Sequence, residues 1–211
     1  PGRPANGKRS LPRPLPGLIT RNKKELEQLH LLAGIPAFPD TMEQRFAMFV
    51  MNALFGGTMS SRLFQKIREE RGLVYNVYSA VNAFIDSGFL TIYAATQPGT
   101  AAEVIRLIRG ELCDLGRRGP REDELRVAKE HLKGSLMLSL ESTASRMSNL
   151  ARQEFYFGRQ QTLEETLAGV DAVGPSQVHE LVRDLLADRE LAVAAVGRVG
   201  RLKIGDEVLK L

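Results

Sequence analysis

The chain has one cysteine, Cys113, no tryptophan, three histidines and no long apolar run. Each scarcity closes off a class of protein. A lone thiol excludes a disulfide framework and any zinc site built on several cysteines. No stretch approaches the roughly 18 apolar residues of a membrane-spanning helix. The N-terminal PGRPANGKRSLPRPLPG has no apolar segment of the secretory-signal kind. His30, His131 and His179 are too scattered to assemble a nucleophile–histidine–acid set. What remains is ordinary globular composition, 43% apolar and 26% charged, which excludes disorder and collagen-like folds. At 211 residues the chain is one domain or two closely packed subdomains.

The net charge of +4 sits in one place. Residues 1–20 contain Arg3, Lys8, Arg9 and Arg13 and no acid, while residues 21–211 balance at 25 basic against 25 acidic. A neutral body with a short basic tail is not the footprint of a nucleic-acid binder, so no nucleic-acid partner is expected. The same twenty residues hold five of the ten prolines together with Gly2, Gly7 and Gly17. That composition reads as a Pro/Gly-rich basic linker over 1–20, leading into a domain over 21–211, with a frayed terminus as the equal alternative for the first twenty residues. A start at Pro1 without methionine fits a processed or excised piece of a longer protein.

Periodicity then sets out the elements. Leu29, Leu31, Ala33 and Ile35 alternate like a half-buried strand, which Pro36 and Pro39 should end. Phe46, Phe49, Val50, Ala53 and Leu54 recur at helical spacing up to a Gly56-Gly57 stop. A short helix carrying Leu63, Phe64 and Ile67 closes at Arg71-Gly72. Val74–Phe84 and Phe89–Thr96 form a hairpin around the turn Ile85-Asp86-Ser87-Gly88. Helical stripes follow: Val104 to Leu115, then Leu125 toward Ala151 with a kink, the latter opening on Pro120 and the acidic turn Glu122-Asp123-Glu124. Thr162 with Glu165 matches a capping box, and Gly174-Pro175 opens a last helix. Leu191–Val196 is an unbroken apolar run, the mark of a central or doubly covered strand. The expected fold is therefore α+β, a mostly antiparallel sheet with helices packed on one face.

Residues 52–79, NALFGGTMSSRLFQKIREERGLVYNVYS, resemble the C-terminal half of the insulinase/pitrilysin family of zinc metallopeptidases, most closely its processing-peptidase-like branch. Asp86-Ser87-Gly88, Glu124-Leu125, Ala128-Lys129, Leu140–Thr143, Ser145-Arg146-Met147 and the strand ending at Gly197 agree with it. The resemblance implies two related α+β halves closing around an unfolded or extended peptide. It places zinc in the N-terminal half, on an inverted HxxEH motif and a distant glutamate. No such motif occurs here, and a catalytic zinc needs about three converging protein ligands. No cofactor is therefore expected in this chain. The zinc is expected in the missing half, either preceding it in the same polypeptide or carried by a partner subunit. His131, in KEHLKGS, is read as a solvated helical histidine.

The family's C-terminal half contributes an arginine and, seven residues later, a tyrosine facing the zinc across the chamber. Arg68 and Tyr75 have that spacing here, in REERGLVY, and are the expected catalytic and substrate-binding residues. Peptide hydrolysis builds negative charge on the scissile carbonyl oxygen, which a guanidinium and a phenol aimed there would stabilise. Arg68 falls in the last turn of the short helix and Tyr75 at the start of the next strand, with Gly72 turning the chain between them. Arg71 and Tyr78 share the spacing, but Gly72-Leu73-x-Tyr75 fixes the register on the first pair. Arg62 is read as structural, tying helix to loop, and Cys113 as an inert helical thiol. The expected function is the C-terminal half of a zinc metalloendopeptidase, inactive by itself. The alternative is a non-catalytic scaffold relative, for which Arg68 and Tyr75 would have no use. No membrane span is expected, and a cytoplasmic location is favoured.

Overall fold

The computed structural model describes residues 15–40, 43–187, 189–202 and 205–211. Residues 1–14 of the expected linker lie outside this set. Five strands form one sheet in the order β1-β5-β2-β4-β3: β1 Gly17–Asn22, β2 Leu29–Ala37, β3 Val74–Ala83, β4 Gly88–Thr96 and β5 Ala192–Gly197. All neighbours are antiparallel except β1 and β5. The helices are α1 Arg45–Asn52, α2 Ala101–Arg118, α3 Glu122–Ser139, α4 Thr143–Phe157, α5 Leu163–Asp171 and α6 Pro175–Leu186. With this α+β layering, α1, α2 and α6 lie against β3, β4 and β2 respectively.

The alternation in β2 has its expected consequence. Leu29, Leu31, Ala33 and Ile35 are all buried, beside Leu90, Ile92 and Ala94 of β4. The strand does not stop at Pro36 but runs on to Ala37. Its pairing with β5 ends at Gly34, so at Pro36 that side of β2 is a sheet edge, where a missing N–H is tolerated. The apolar β5 is paired on both sides, but only Val193 and Ala195 turn into the core.

Two elements differ from expectation. Residues 17–20, assigned to the linker, belong to β1, which pairs in parallel with β5 from Gly17↔Ala192 to Asn22↔Gly197. Its partner lies at the far end of the sequence, so no local pattern announces it. The single kinked helix toward Ala151 is instead two helices. Leu140-Glu141-Ser142 separates them, and the Ser142 hydroxyl caps α4 by accepting from the Ser145 N–H. The Thr162/Glu165 capping box forms as read, and Pro175 opens α6.

Where α1 leaves the core it passes into a π-helical turn, Ala53–Gly57. A Cβ on Gly56 would lie 2.6 Å from the Ser79 hydroxyl, so only glycine lets this turn approach β3 so closely. Ser79 in turn donates to Asn52 Oδ1 at 2.8 Å, tying turn to sheet.

Candidate functional site

The segment between that turn and β3 determines where the expected site residues go. A second π-helical turn, Phe64–Glu69, carries Arg68 near its end. Inserted residues of this kind rotate the side chains that follow them and recur at functional sites. The turn stops in a glycine-capped motif. Gly72 sits at φ +62°, its N–H bonds to the Arg68 carbonyl (3.0 Å), and the Leu73 N–H reaches back to Ile67 (3.0 Å). The chain is thereby turned straight into β3.

The register of β3 against β4 then slips by one. Val74 pairs with Thr96 but Asn76 pairs with Ala95, leaving Tyr75 as the extra residue of a β-bulge. Bulges bend the strand and re-aim a side chain. Thr96 braces the place: its hydroxyl donates to the Leu73 carbonyl at 2.6 Å. Tyr75 consequently stands out from the sheet edge, 74% exposed.

Arg68 and Tyr75 meet. The Arg68 guanidinium lies 4.7 Å from the Phe64 ring centre and 6.0 Å from that of Tyr75. A cation over an aromatic face is held by the ring quadrupole while its N–H edge stays available. Among the described residues no carboxylate reaches ion-pair distance of Arg68. The neighbouring Glu70 is instead paired with Lys66 at 3.0 Å. The site therefore presents a guanidinium and a phenol, both hydrogen-bond donors, on an open surface. The rival pair separates: Arg71 leans toward Glu103 of α2 (3.9 Å), while Tyr78 stacks on Tyr93 with ring centres 5.1 Å apart.

The Arg62 side chain is only 9% exposed and is saturated with partners. It donates to both oxygens of Glu124, to Asp114 and to the Gly119 carbonyl, holding the first turn of α3 to the end of α2. Beside it opens a cavity of about 580 Å³ lined by charges of both signs, including Lys66, Glu111 and Arg121. Burial pushes the Glu111 carboxyl above its ordinary value, against the pull of Arg62 and Lys66.

The histidines are apart and otherwise engaged. His30 shares a 2.7 Å hydrogen bond with the Tyr93 hydroxyl, His131 contacts Ser135, and His179 Nε2 donates to the Gly116 carbonyl. Among the described residues no three His, Cys, Asp or Glu side chains gather as metal ligands, so the residues present do not fit a zinc ion. Cys113 is a free, half-buried thiol. No described helix is long and apolar enough to cross a membrane.

The bulge and the row of His30, Tyr93 and Tyr78 were not read from the sequence. The bulge left a trace, because Val74 and Val77, both buried, stand three residues apart where a regular strand spaces them by two. The histidine–tyrosine row leaves none, since its members come from three strands.

Comparison with known proteins gives concordant results. The family described as the peptidase M16 inactive domain matches residues 1–132. An uncharacterized zinc protease of Mycobacterium leprae is 43% identical over 171 residues, covering 81% of this chain and 38% of its own length. One from Bacillus subtilis is 41% identical over 184 residues, covering 87% and 44%. The chain thus spans about two fifths of these relatives. The crystal structure of a peptidase M16 inactive domain from Pseudomonas fluorescens shares the fold, with a TM-score of 0.75 at 24% identity over 86% of this chain and 43% of that one. Together with the sheet, its one-sided helical cover and the extended motif around Arg68, these matches show that the chain belongs to the peptidase M16 family and carries its inactive domain.

Proposed function

We propose that this chain is the half of a zinc metalloendopeptidase that completes an active site whose metal is held by an N-terminal half or a partner subunit. The observation that carries the reading is the meeting of Arg68 and Tyr75, exposed and without a competing carboxylate. As a scissile carbonyl becomes tetrahedral, its oxygen gains negative charge. The Arg68 guanidinium and the Tyr75 hydroxyl donate hydrogen bonds to that oxygen, or to the flanking peptide carbonyls, and hold the backbone in place. Phe64 beneath the guanidinium and the bulge beneath Tyr75 fix both donors beforehand, so little reorganisation accompanies the reaction. Zinc, when bound in the other half, supplies Lewis-acid catalysis. The substrate is an unfolded or extended peptide, docking in part by adding a strand to a sheet edge; β3, which carries Tyr75, is such an edge.

The test is complementation. The chain alone, with or without added zinc, should hydrolyse an unfolded peptide no faster than background, and adding the zinc-bearing half should produce turnover. Activity of the chain by itself would overturn the division of labour.

A further inference from the structure

Helix α4 is laid on the body the wrong way round for a helix in water. A surface helix ordinarily turns its apolar stripe inward and its polar residues outward. Among the described residues of α4 only Gln153 is buried, and its side-chain carbonyl accepts from the Gln161 N–H at 2.7 Å. A second tie to the body is also polar: Arg152 donates to the buried Asp40 carboxylate at 2.9 Å. Tyr156 and Phe157, half-buried in the last turn, have the Arg152 and Arg45 guanidinium groups over their rings at 5.3 and 4.3 Å.

Outward, Met147, Leu150, Ala151 and Phe155 recur at three- and four-residue spacing, one stripe along the helix. Phe155 is 80% exposed, Met147 66% and Leu150 51%. Met137 and Leu138, at the end of α3 just before the break, are exposed as well. Scattered apolar residues on a surface are ordinary, but large ones aligned on one helix face mark an interaction site.

The occupant can be sized from the fold. Asp40, which holds Arg152, also donates its N–H to the Phe84 carbonyl at 2.9 Å, so α4 is anchored near the β3–β4 turn. Tyr75 lies at the opposite end of β3, eight residues or about 25 Å from Ala83. A partner that covers α4 and also meets Arg68 and Tyr75 must span that length. A folded half of about 200 residues, with a radius of gyration of about 16 Å, is wide enough. The relatives have the length for one: more than half of the Mycobacterium leprae and Bacillus subtilis proteins lies outside the part matched by this chain.

We propose that the Met147–Leu150–Phe155 stripe of α4 is the docking surface for the zinc-bearing half. It rests on the reading that such a half completes the site at Arg68 and Tyr75, and it says where that half is held. Burial of three large apolar side chains drives the association. The polar ties of Gln153 and Arg152 hold the helix with this face outward before the partner arrives, so little ordering accompanies docking.

The test adds the zinc-bearing half, as a separate polypeptide, to this chain in unaltered form or with Met147→Glu, Leu150→Glu and Phe155→Glu combined. Calorimetry gives the Kd, and peptide turnover is followed alongside. The triple variant should bind about 100-fold more weakly, with an unchanged circular dichroism spectrum, because all three side chains already meet water. With labelled tyrosine rings observed by NMR, docking to the unaltered chain should shift Tyr156, the neighbour of Phe155. Arg68→Ala should keep the Kd within about threefold and lower turnover alone. Undiminished binding by the triple variant, or Tyr156 unmoved while the halves bind, would overturn the docking surface, and turnover would then leave the Arg68–Tyr75 reading standing. No binding by the unaltered chain would overturn the surface as well. Binding that depends on α4 but yields no turnover would uphold the surface and remove that reading. Self-association of the chain, abolished in the triple variant, would assign the stripe to a second copy and overturn the proposal.

Discussion

The two faces of the sheet are made by the same strands and differ only in which alternate residue points where. On the helix side Leu29, Leu31, Ile35, Leu90 and Ile92 are sealed under α1, α2 and α6. On the other side the intervening positions hold small residues, tyrosines and Phe89, half-covered or exposed. Charge is absent from the first because burial forbids it unpaired. The described strands of the second face also lack acids, as strands commonly do. The first face accounts for most of what the sheet contributes to stability.

The largest effect should come from the covered face. Ile92→Ala is expected to lower unfolding free energy by about 2–5 kcal/mol, while Leu32→Ala, on the same sheet but facing out, should lower it by less than about 1 kcal/mol. Urea denaturation of the two variants measures the contrast, and equal losses would erase it. Arg62→Ala probes a largely covered cation among the helices. Glu124 then keeps only the exposed Arg121 as counter-charge, so stability should fall by about 1–3 kcal/mol in the same assay. Gly72→Ala forces a side chain into the left-handed region and should cost about 1–2 kcal/mol. Because Gly72 sets the path from Arg68 to Tyr75, this variant should also disturb the Tyr75 ring signal, which Ile92→Ala should leave alone.

The smallest effect concerns pH. Burial raises the Glu111 carboxyl in the folded state, so that state holds its proton more tightly than the unfolded chain does. The associated stability is present below the ordinary glutamate range and lost as pH rises through the folded value. Glu111→Gln should therefore raise the thermal midpoint slightly at pH 7 and leave it unchanged at pH 3, as scanning calorimetry at both values would show.

Elements that carry their own period were legible from sequence: β2 through Leu29–Ile35, α2 through Val104–Leu115, and the hairpin through its turn. Elements that exist because of a distant partner were not. β1 becomes a strand only when β5 returns beside it, nearly the whole chain later. The division of α3 from α4 was marked by Ser142, whose capping geometry turns an expected kink into a break. For the site, the spacing of Arg68 and Tyr75 was visible in REERGLVY and the glycine between them announced a turn. Their convergence depends on a π-helical turn and a bulge, each an insertion of one residue into a regular ladder. Composition is blind to such insertions, and only the Val74–Val77 spacing hinted at one.

The most direct measurement is peptide turnover by the reconstituted enzyme carrying Arg68→Ala. The account predicts a fall in kcat of about 10²–10³-fold, the size of losing an oxyanion donor, with zinc content and urea midpoint unchanged. Turnover equal to that of the unaltered chain would contradict it.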